Sequence, residues 1–290
     1  MATLPSPPPA GVVAEDVARA LAEDLGPGDA TAELLPDGPA EAWVVAKEAG
    51  VIAGRPWFDE CFRRLDPEVR IHWRVAEGEA VAAGTVLVTL AGRARALVSA
   101  ERPALNFLQT LSATASRTAE CVAALAGSRT RVLDTRKTLP GLRQAQKYAV
   151  RAGGGLNHRM GLYDAVMLKE NHIHAAGSIA AAAAAARQRH PTLPLIIEVE
   201  TLAELDQALA AGCDRILVDE FGDDDLREAV RRAAGRIPLE VSGGVTLDRL
   251  HTLGAIGVDY VSIGALTKHV HALDLSLRLG SPPPSPPPSL

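Results

Sequence analysis

Residues 133–174 read LDTRKTLPGLRQAQKYAVRAGGGLNHRMGLYDAVMLKENHIH. An apolar run at 131–134 ends in Asp134-Thr135-Arg136-Lys137, and another at 165–169 ends in Lys169-Glu170-Asn171. Between them, residues 142–152 carry helical spacing and lead into a Gly-rich stretch. The alternation continues downstream. Candidate strands lie at 195–200, 215–219, 239–242 and 260–264, and candidate helices at 178–189, 203–211, 224–234 and 247–253. Short apolar runs separated by amphipathic helices specify a parallel sheet with helices outside it. Six strands fall short of the eight of a closed barrel, so the expectation is an incomplete or distorted α/β barrel.

Upstream the pattern changes. Residues 12–25 fit an amphipathic helix, with Val13, Val17, Ala20, Leu21 and Leu25 on one face. Residues 43–47, 50–54, 71–75, 80–81 and 85–90 read as short strands, and 55–65 as a helix. The stretch EGEAVAAGTVLVTLAG (77–92) resembles the turn pattern of biotinyl and lipoyl carrier domains. It lacks their hairpin-tip lysine, so it reads as a small β-rich structural unit. Residues 99–125 fit a long helix capped by Ser99, with Pro103 in its first turn. Residues 1–10 and 281–290 are Pro/Ser-rich tails expected to be disordered.

Composition excludes several functions. The chain has 290 residues, 47% of them hydrophobic, enough for a sizeable core. No apolar run reaches 18 residues and the N-terminus has no signal-peptide pattern, so neither a membrane span nor secretion is expected. Three widely spaced cysteines, Cys61, Cys121 and Cys213, read as reduced buried residues of a cytoplasmic protein. A net charge of −5 and 3% aromatics argue against nucleic-acid binding.

Against that anionic background, residues 134–172 carry seven Lys/Arg (Arg136, Lys137, Arg143, Lys147, Arg151, Arg159, Lys169) and three acids. Arg143, Lys147 and Arg151 recur every fourth residue and read as a solvated helix face. The others end apolar runs or sit in the Gly-rich stretch, which suits a pocket for a polyanionic small molecule. Groups at strand C-terminal ends are where α/β barrels place their chemistry. Here these ends supply Glu198, Glu200, Asp219, Ser242-Gly243-Gly244 and Gly264-Ala265. The two small-residue turns leading into helices suit a phosphate. Glu198 and Asp219 have two readings: together holding Mg²⁺ with water and substrate oxygens, or pairing with Arg136, Lys137 or Lys169. His172 and His174 lack a third ligand and read as structural hydrogen-bonding residues. Lys169 reads as a charged ligand-binding residue, with a Schiff-base lyase as the competing assignment. No P-loop motif is present. ILVDEFGDDD only partly matches the acidic signature of the Rossmann-like phosphoribosyltransferases, because the Thr-Gly-Gly-Thr that should follow is missing.

DTRKTLPGLR, GGGLNHRMGLYD, LKENHI, EVE, EVSGGV and VDYVSIGALTKHV, in that order, resemble quinolinate phosphoribosyltransferases, as do EDLGPGDAT and ERPALNFLQTLSATA. The resemblance spans about residues 12–279. It implies an N-terminal α/β sandwich domain (11–112) followed by an open, incomplete α/β barrel (113–280), in a homodimer or larger assembly with a shared active site. It implies that quinolinate and phosphoribosyl pyrophosphate give nicotinate mononucleotide, pyrophosphate and CO₂, with Mg²⁺, in NAD biosynthesis. Carried over by motif, Arg102 reaches a neighbouring subunit's site. Arg136, His158 and Arg159 hold quinolinate; Thr135, Lys137 and Lys169 lie near phosphates and carboxylates, with Lys137 and Lys169 catalytic. Glu198 and Asp219 fall on the ribose and metal side, also catalytic. Ser242, Gly243, Gly244, Ile263, Gly264, Ala265 and Lys268 match the 5′-phosphate loops. Two positions depart from the pattern: Glu220 where members often have Asn, and Lys268 where some have His. A same-fold paralogue acting on another acid is the nearest alternative, and a non-catalytic binder of phosphorylated metabolites is a third.

Overall fold

A computed structural model describes residues 8–282. The expected tails therefore fall largely outside the described residues. In chain order the elements are α1 (Ala10–Leu25), a 3₁₀ turn (Ala32–Leu34), β1 (Pro39–Ala46), β2 (Gly50–Val51), α2 (Arg55–Leu65), β3 (Arg70–Trp73), β4 (Ala80–Val81), β5 (Val86–Arg93) and α3 (Ala94–Ala124). Then come β6 (Arg131–Leu133), α4 (Arg143–Ala152), β7 (Val166–Leu168), α5 (Glu170–Ala176), α6 (Ile179–Arg189), β8 (Leu195–Val199) and α7 (Leu202–Ala211). The chain closes with β9 (Arg215–Asp219), α8 (Asp223–Ala233), β10 (Leu239–Ser242), α9 (Leu247–Ile256), β11 (Tyr260–Ser262), α10 (Ala265–Lys268) and β12 (Leu275–Leu279).

Two compact units result. One takes the chain as far as Arg117, together with Leu139–Gly154 and the chain from His269 on; the other is Thr118–Thr138 with Gly155–Lys268. By contacts the units interleave along the chain, with α4 and β12 in the first unit.

The first unit is built on an antiparallel sheet ordered β12-β1-β5-β3. Val13, Val17 and Leu21 of α1 and Trp57, Phe58, Cys61 and Phe62 of α2 join Ala42, Val44, Leu87, Val88 and Leu90 in one buried cluster. Burying this apolar surface supplies the driving force, at roughly 25 cal/mol per Å². The 77–92 stretch does not form one β unit: β4 pairs with β2 in a separate two-stranded ribbon, while β5 belongs to the larger sheet. Glu77 serves instead as a helix-end acceptor. Its carboxylate takes the N–H groups of Gly54 (2.6 Å) and Arg55 (3.2 Å) at the start of α2, where intrahelical partners are missing. Burial pushes its pKa up, against those two hydrogen bonds.

Two expectations about helices change. Ser99 does not cap α3, which begins at Ala94 directly from β5; its hydroxyl donates to Asp29 Oδ2 at 2.7 Å, and Pro103 lies inside the helix. The Arg143/Lys147/Arg151 row is not a solvated face. Lys147 is 1% exposed, and Arg143 and Arg151 are half-buried, with the Arg151 guanidinium 5.9 Å from the Tyr148 ring centroid.

The second unit holds a six-stranded, wholly parallel sheet ordered β6-β11-β10-β9-β8-β7. Strands β6 and β7 do not pair, so the barrel is open; Leu156 forms an isolated parallel bridge to Leu133 on the free side of β6. Side chains alternate along each strand. Ala165, Met167, Ile196 and Leu217 cluster on one face, which is the barrel interior. The same alternation places Lys169, Glu198, Asp219, Ser242 and Ser262 on that face at or near strand C-terminal ends. Helices α6, α7 and α9 start where Ser178, Thr201 and Thr246 accept the N–H groups of Ala181, Glu204 and Arg249.

All three cysteines are buried, and no disulfide forms among the described residues. Burial pushes the Cys61 thiol up to about 12 and the Cys213 thiol up to about 11, so both stay protonated and inert. Among the described residues no helix is long and apolar enough to cross a membrane.

Candidate active site

Asp134 organises one side of the candidate site. It ends the run that begins with β6 and is fully buried. Its Oδ1 accepts the backbone N–H of His158 at 2.9 Å and its Oδ2 accepts Asn157 Nδ2–H at 2.6 Å. Hydrogen bonds to a charged group contribute about 1.5–3 kcal/mol each, which ties the Gly-rich segment to the strand end. Asp164 braces the next turn, accepting the N–H groups of Met160 (2.7 Å) and Gly161 (3.0 Å). Arg159 lies between these clamps. Its Nη1 donates to the Ala165 carbonyl at 3.2 Å and its Nη2 approaches the Met167 sulfur at 3.8 Å. Burial, then the neighbouring Arg136 guanidinium, lower its pKa below the ordinary arginine value.

These clamps border a cavity of about 290 Å³ at the C-terminal mouth of the open barrel. Eight residues singled out from sequence line it: Thr135, Arg136, Lys137, His158, Arg159, Lys169, Glu198 and Ser242. Met167, Leu217, Glu240 and Ser262 complete the lining and were not foreseen. Strand parity was the available signal for three of them. Met167 lies two residues before Lys169, Leu217 two before Asp219 and Glu240 two before Ser242, all on the interior face.

Lys169 Nζ donates to Glu198 Oε2 at 2.5 Å, so the pairing read for Glu198 is present. Asp219 does not line the cavity. It stands beside Ser242 in the β9–β10 register, with Oδ1 3.0 Å from where a Cβ on Gly243 would project. Gly243 and Gly244 take φ of +91° and +51°, which a glycine adopts without strain. Gly264 lies close under Lys137: a Cβ there would come within 2.9 Å of Lys137 Cδ and would make that side chain move. The Thr267 hydroxyl donates to the Lys137 carbonyl at 2.8 Å, and the Lys137 N–H donates to Thr135 Oγ1 at 3.0 Å. Ile263 is buried, Ala265 begins α10 and Lys268 is exposed at its end; none of the three lines the cavity.

Acids gather next to the cations. Desolvation, then Glu170, Glu204, Glu220 and Asp219, raise the pKa of Glu200. Glu220 has φ +57°, a conformation that costs a residue with a Cβ about 1–2 kcal/mol and that Asn visits more readily. No group of three or more metal-ligating side chains occurs among the described residues. Glu198 and Asp219 still offer the hard oxygen donors that Mg²⁺ takes alongside waters and phosphates. His172 Nδ1 accepts the Lys169 N–H at 3.2 Å, the structural role expected for this histidine. Arg102 lies on α3 in the first unit, its side chain 61% exposed and 3.7 Å from Glu101.

The arrangement can hold a polyanion between forked guanidiniums and ammonium groups, beside backbone turns suited to a phosphate. Comparisons with known proteins extend over nearly the whole chain. Family models described as Quinolinate phosphoribosyl transferase, N-terminal domain and C-terminal domain match residues 29–112 and 114–278. A probable nicotinate-nucleotide pyrophosphorylase (carboxylating) of Synechocystis is 46% identical over 265 residues, covering 89% of this chain and 90% of its own. One of the same description from Bacillus subtilis is 43% identical over 257 residues, covering 88% and 89%. The solved nicotinate-nucleotide pyrophosphorylase of Francisella tularensis superposes with a TM-score of 0.93 at 41% identity, over 94% of this chain and 98% of that one. With both domain models matched in sequence order and relatives 43% and 46% identical over most of the chain, this chain belongs to the quinolinate phosphoribosyltransferase family.

Proposed function

We propose that the protein transfers the phosphoribosyl group of phosphoribosyl pyrophosphate to quinolinate, giving nicotinate mononucleotide, pyrophosphate and CO₂. The observation that carries this reading is the cavity itself, where Arg136, Arg159 and Lys169 meet in one small, partly desolvated space. Two guanidinium forks and an ammonium suit a planar dicarboxylate better than a monocarboxylate. In the first step the ring nitrogen attacks ribose C1 and pyrophosphate leaves. This chain's part is positioning and charge stabilisation, for which Lys137, Thr135 and the 242–244 and 263–265 turns supply donors near the phosphates. Glu198 and Asp219 would hold Mg²⁺, which when bound neutralises charge on the departing pyrophosphate. In the second step the carboxylate next to the quaternised nitrogen departs as CO₂. The electron pair left on carbon is stabilised by that nitrogen and then takes up a proton, so no Schiff base is required.

The test is a product assay with both acids. Quinolinate should release CO₂ only when phosphoribosyl pyrophosphate is present, and nicotinate should not be converted. Comparable turnover of nicotinate contradicts the assignment, and CO₂ release without the phosphoribosyl donor favours the lyase. The ion pair between Lys169 and Glu198 supports an electrostatic role for this lysine. Borohydride added during turnover should therefore leave Lys169 unmodified by mass, whereas a substrate-mass adduct on it would support the lyase. We also infer a homodimer or larger assembly in which Arg102 serves the neighbouring subunit's site. Three free cysteines with no disulfide among the described residues support a reducing, cytoplasmic setting.

A further inference from the structure

Glu240 is a fully buried carboxylate in the wall of the cavity. Its Oε2 accepts Arg215 Nη1–H at 2.9 Å and lies 3.4 Å from His158 Nε2. Its Oε1 is buried and accepts no hydrogen bond among the described residues. Arg215 in turn lies over the Tyr260 ring, 4.5 Å from its centroid. Burial pushes the Glu240 pKa up, but His158 and Arg215 outweigh it and the net displacement is downward, so the carboxylate stays charged. Buried ion pairs are often no more stabilising than well-packed apolar residues of the same volume. Stability alone is thus a weak account of a buried charge with one unsatisfied oxygen.

The imidazole between Glu240 and the Gly-rich segment supplies the missing link. His158 Nδ1 accepts the backbone N–H of Arg159 at 2.7 Å. A ring nitrogen that accepts a hydrogen bond carries no proton, so the proton of the neutral ring sits on Nε2, the atom nearest Glu240. Asp134 holds the same segment by the His158 N–H. The backbone that presents Arg159 is therefore held by Asp134 and by the imidazole, whose buried Nε2 lies within 3.4 Å of Glu240 Oε2 but outside hydrogen-bond geometry in this conformation.

We propose that Glu240 is a positioning residue: backed by Arg215, it holds His158 in the Nε2–H tautomer, and His158 Nδ1 then fixes the backbone that presents the Arg159 guanidinium to a substrate carboxylate. The proposal rests on reading the cavity as the quinolinate pocket. Its role is that of a partner one shell out, which orients a group that touches ligand without touching it.

Two measurements test it. Long-range ¹H–¹⁵N correlation spectra of histidine-labelled wild-type protein at neutral pH, assigned by the signal missing in His158→Gln, should show His158 as the neutral Nε2–H tautomer. Glu240→Gln keeps an oxygen where both contacts fall on Oε2 but replaces the anionic acceptor with a neutral one, which weakens its hold on the His158 Nε2–H. It should raise KM for quinolinate about 10- to 100-fold while leaving kcat and KM for phosphoribosyl pyrophosphate nearly unchanged. An imidazolium or an Nδ1–H tautomer in the wild-type spectrum overturns the proposal, and that reading needs no variant to fold. A folded Glu240→Gln protein with a lowered Tm and unaltered KM values also overturns it, because that is the behaviour of an ordinary buried ion pair. If wild-type protein does not turn over quinolinate, the functional reading fails on its own, and the tautomer still decides the Glu240–His158 link.

Discussion

Arg159→Ala is expected to fold and to lose between about 30-fold and several thousand-fold in kcat/KM for quinolinate, the equivalent of roughly 2–5 kcal/mol for one partner of a desolvated charge pair. The side chain uses two donors on the Ala165 carbonyl and the Met167 sulfur and has others for a ligand. Those two contacts are modest, so the melting temperature should change little. Initial rates with quinolinate varied and phosphoribosyl pyrophosphate saturating provide the check. Arg159→Lys should recover only part of the loss, because it restores charge without the planar fork. A kcat/KM within a few-fold of wild type in Arg159→Ala would remove Arg159 from the substrate pocket.

A second large effect is expected from Arg102. Its nearest acid within the chain is Glu101, on its own helix and 3.7 Å away, and the side chain is mostly in solvent. Such a contact contributes little to a single chain. If Arg102 completes the neighbouring subunit's site, Arg102→Ala and Lys137→Ala homo-oligomers should each be nearly inactive. Mixing the two under subunit exchange should restore activity, since a mixed pair has one site with both residues intact and one with neither. Native mass spectrometry confirms that exchange has happened. Mixed oligomers that stay inactive would dismiss the shared site, and a nearly wild-type Arg102→Ala homo-oligomer would make Arg102 an ordinary surface residue.

The barrel was legible because each of its strands is an apolar run and the helices between them are amphipathic; β9 and β10 fall where the periodicity put them. The strand ends were legible too, since charged and small residues interrupt those runs at the same point in every repeat. What sequence hid was anything that depends on a distant partner. Ser99 sits in a stretch that suits a helix start, but its hydroxyl bonds Asp29, 70 residues away. Lys147 recurs with Arg143 and Arg151 as on a wetted face, yet it is buried, because spacing along a helix does not say what covers it. Glu240 follows the same logic: the groups that make its burial tolerable, the His158 imidazole and the Arg215 guanidinium, come from other segments. Strand β12 was missed because five residues of LSLRL carry too little pattern to be told from a loop, and its pairing partner lies more than 200 residues upstream.

That pairing has a consequence for biosynthesis. Strand β1 lies between β5 and β12, with Ala42–Ala46 facing Leu279–Leu275. On the ribosome, β1 emerges long before the strand that covers its second edge. At roughly 5–20 residues per second, the approximately 230 intervening residues take on the order of ten to fifty seconds to make. For that interval the nascent chain presents Trp43, Val44 and Val45 on an unpaired edge, the template on which strands of neighbouring chains add. Loss of residues 275–279 would make that interval permanent, and the yield of undamaged protein in a cell would then depend on how well chaperones shield one strand.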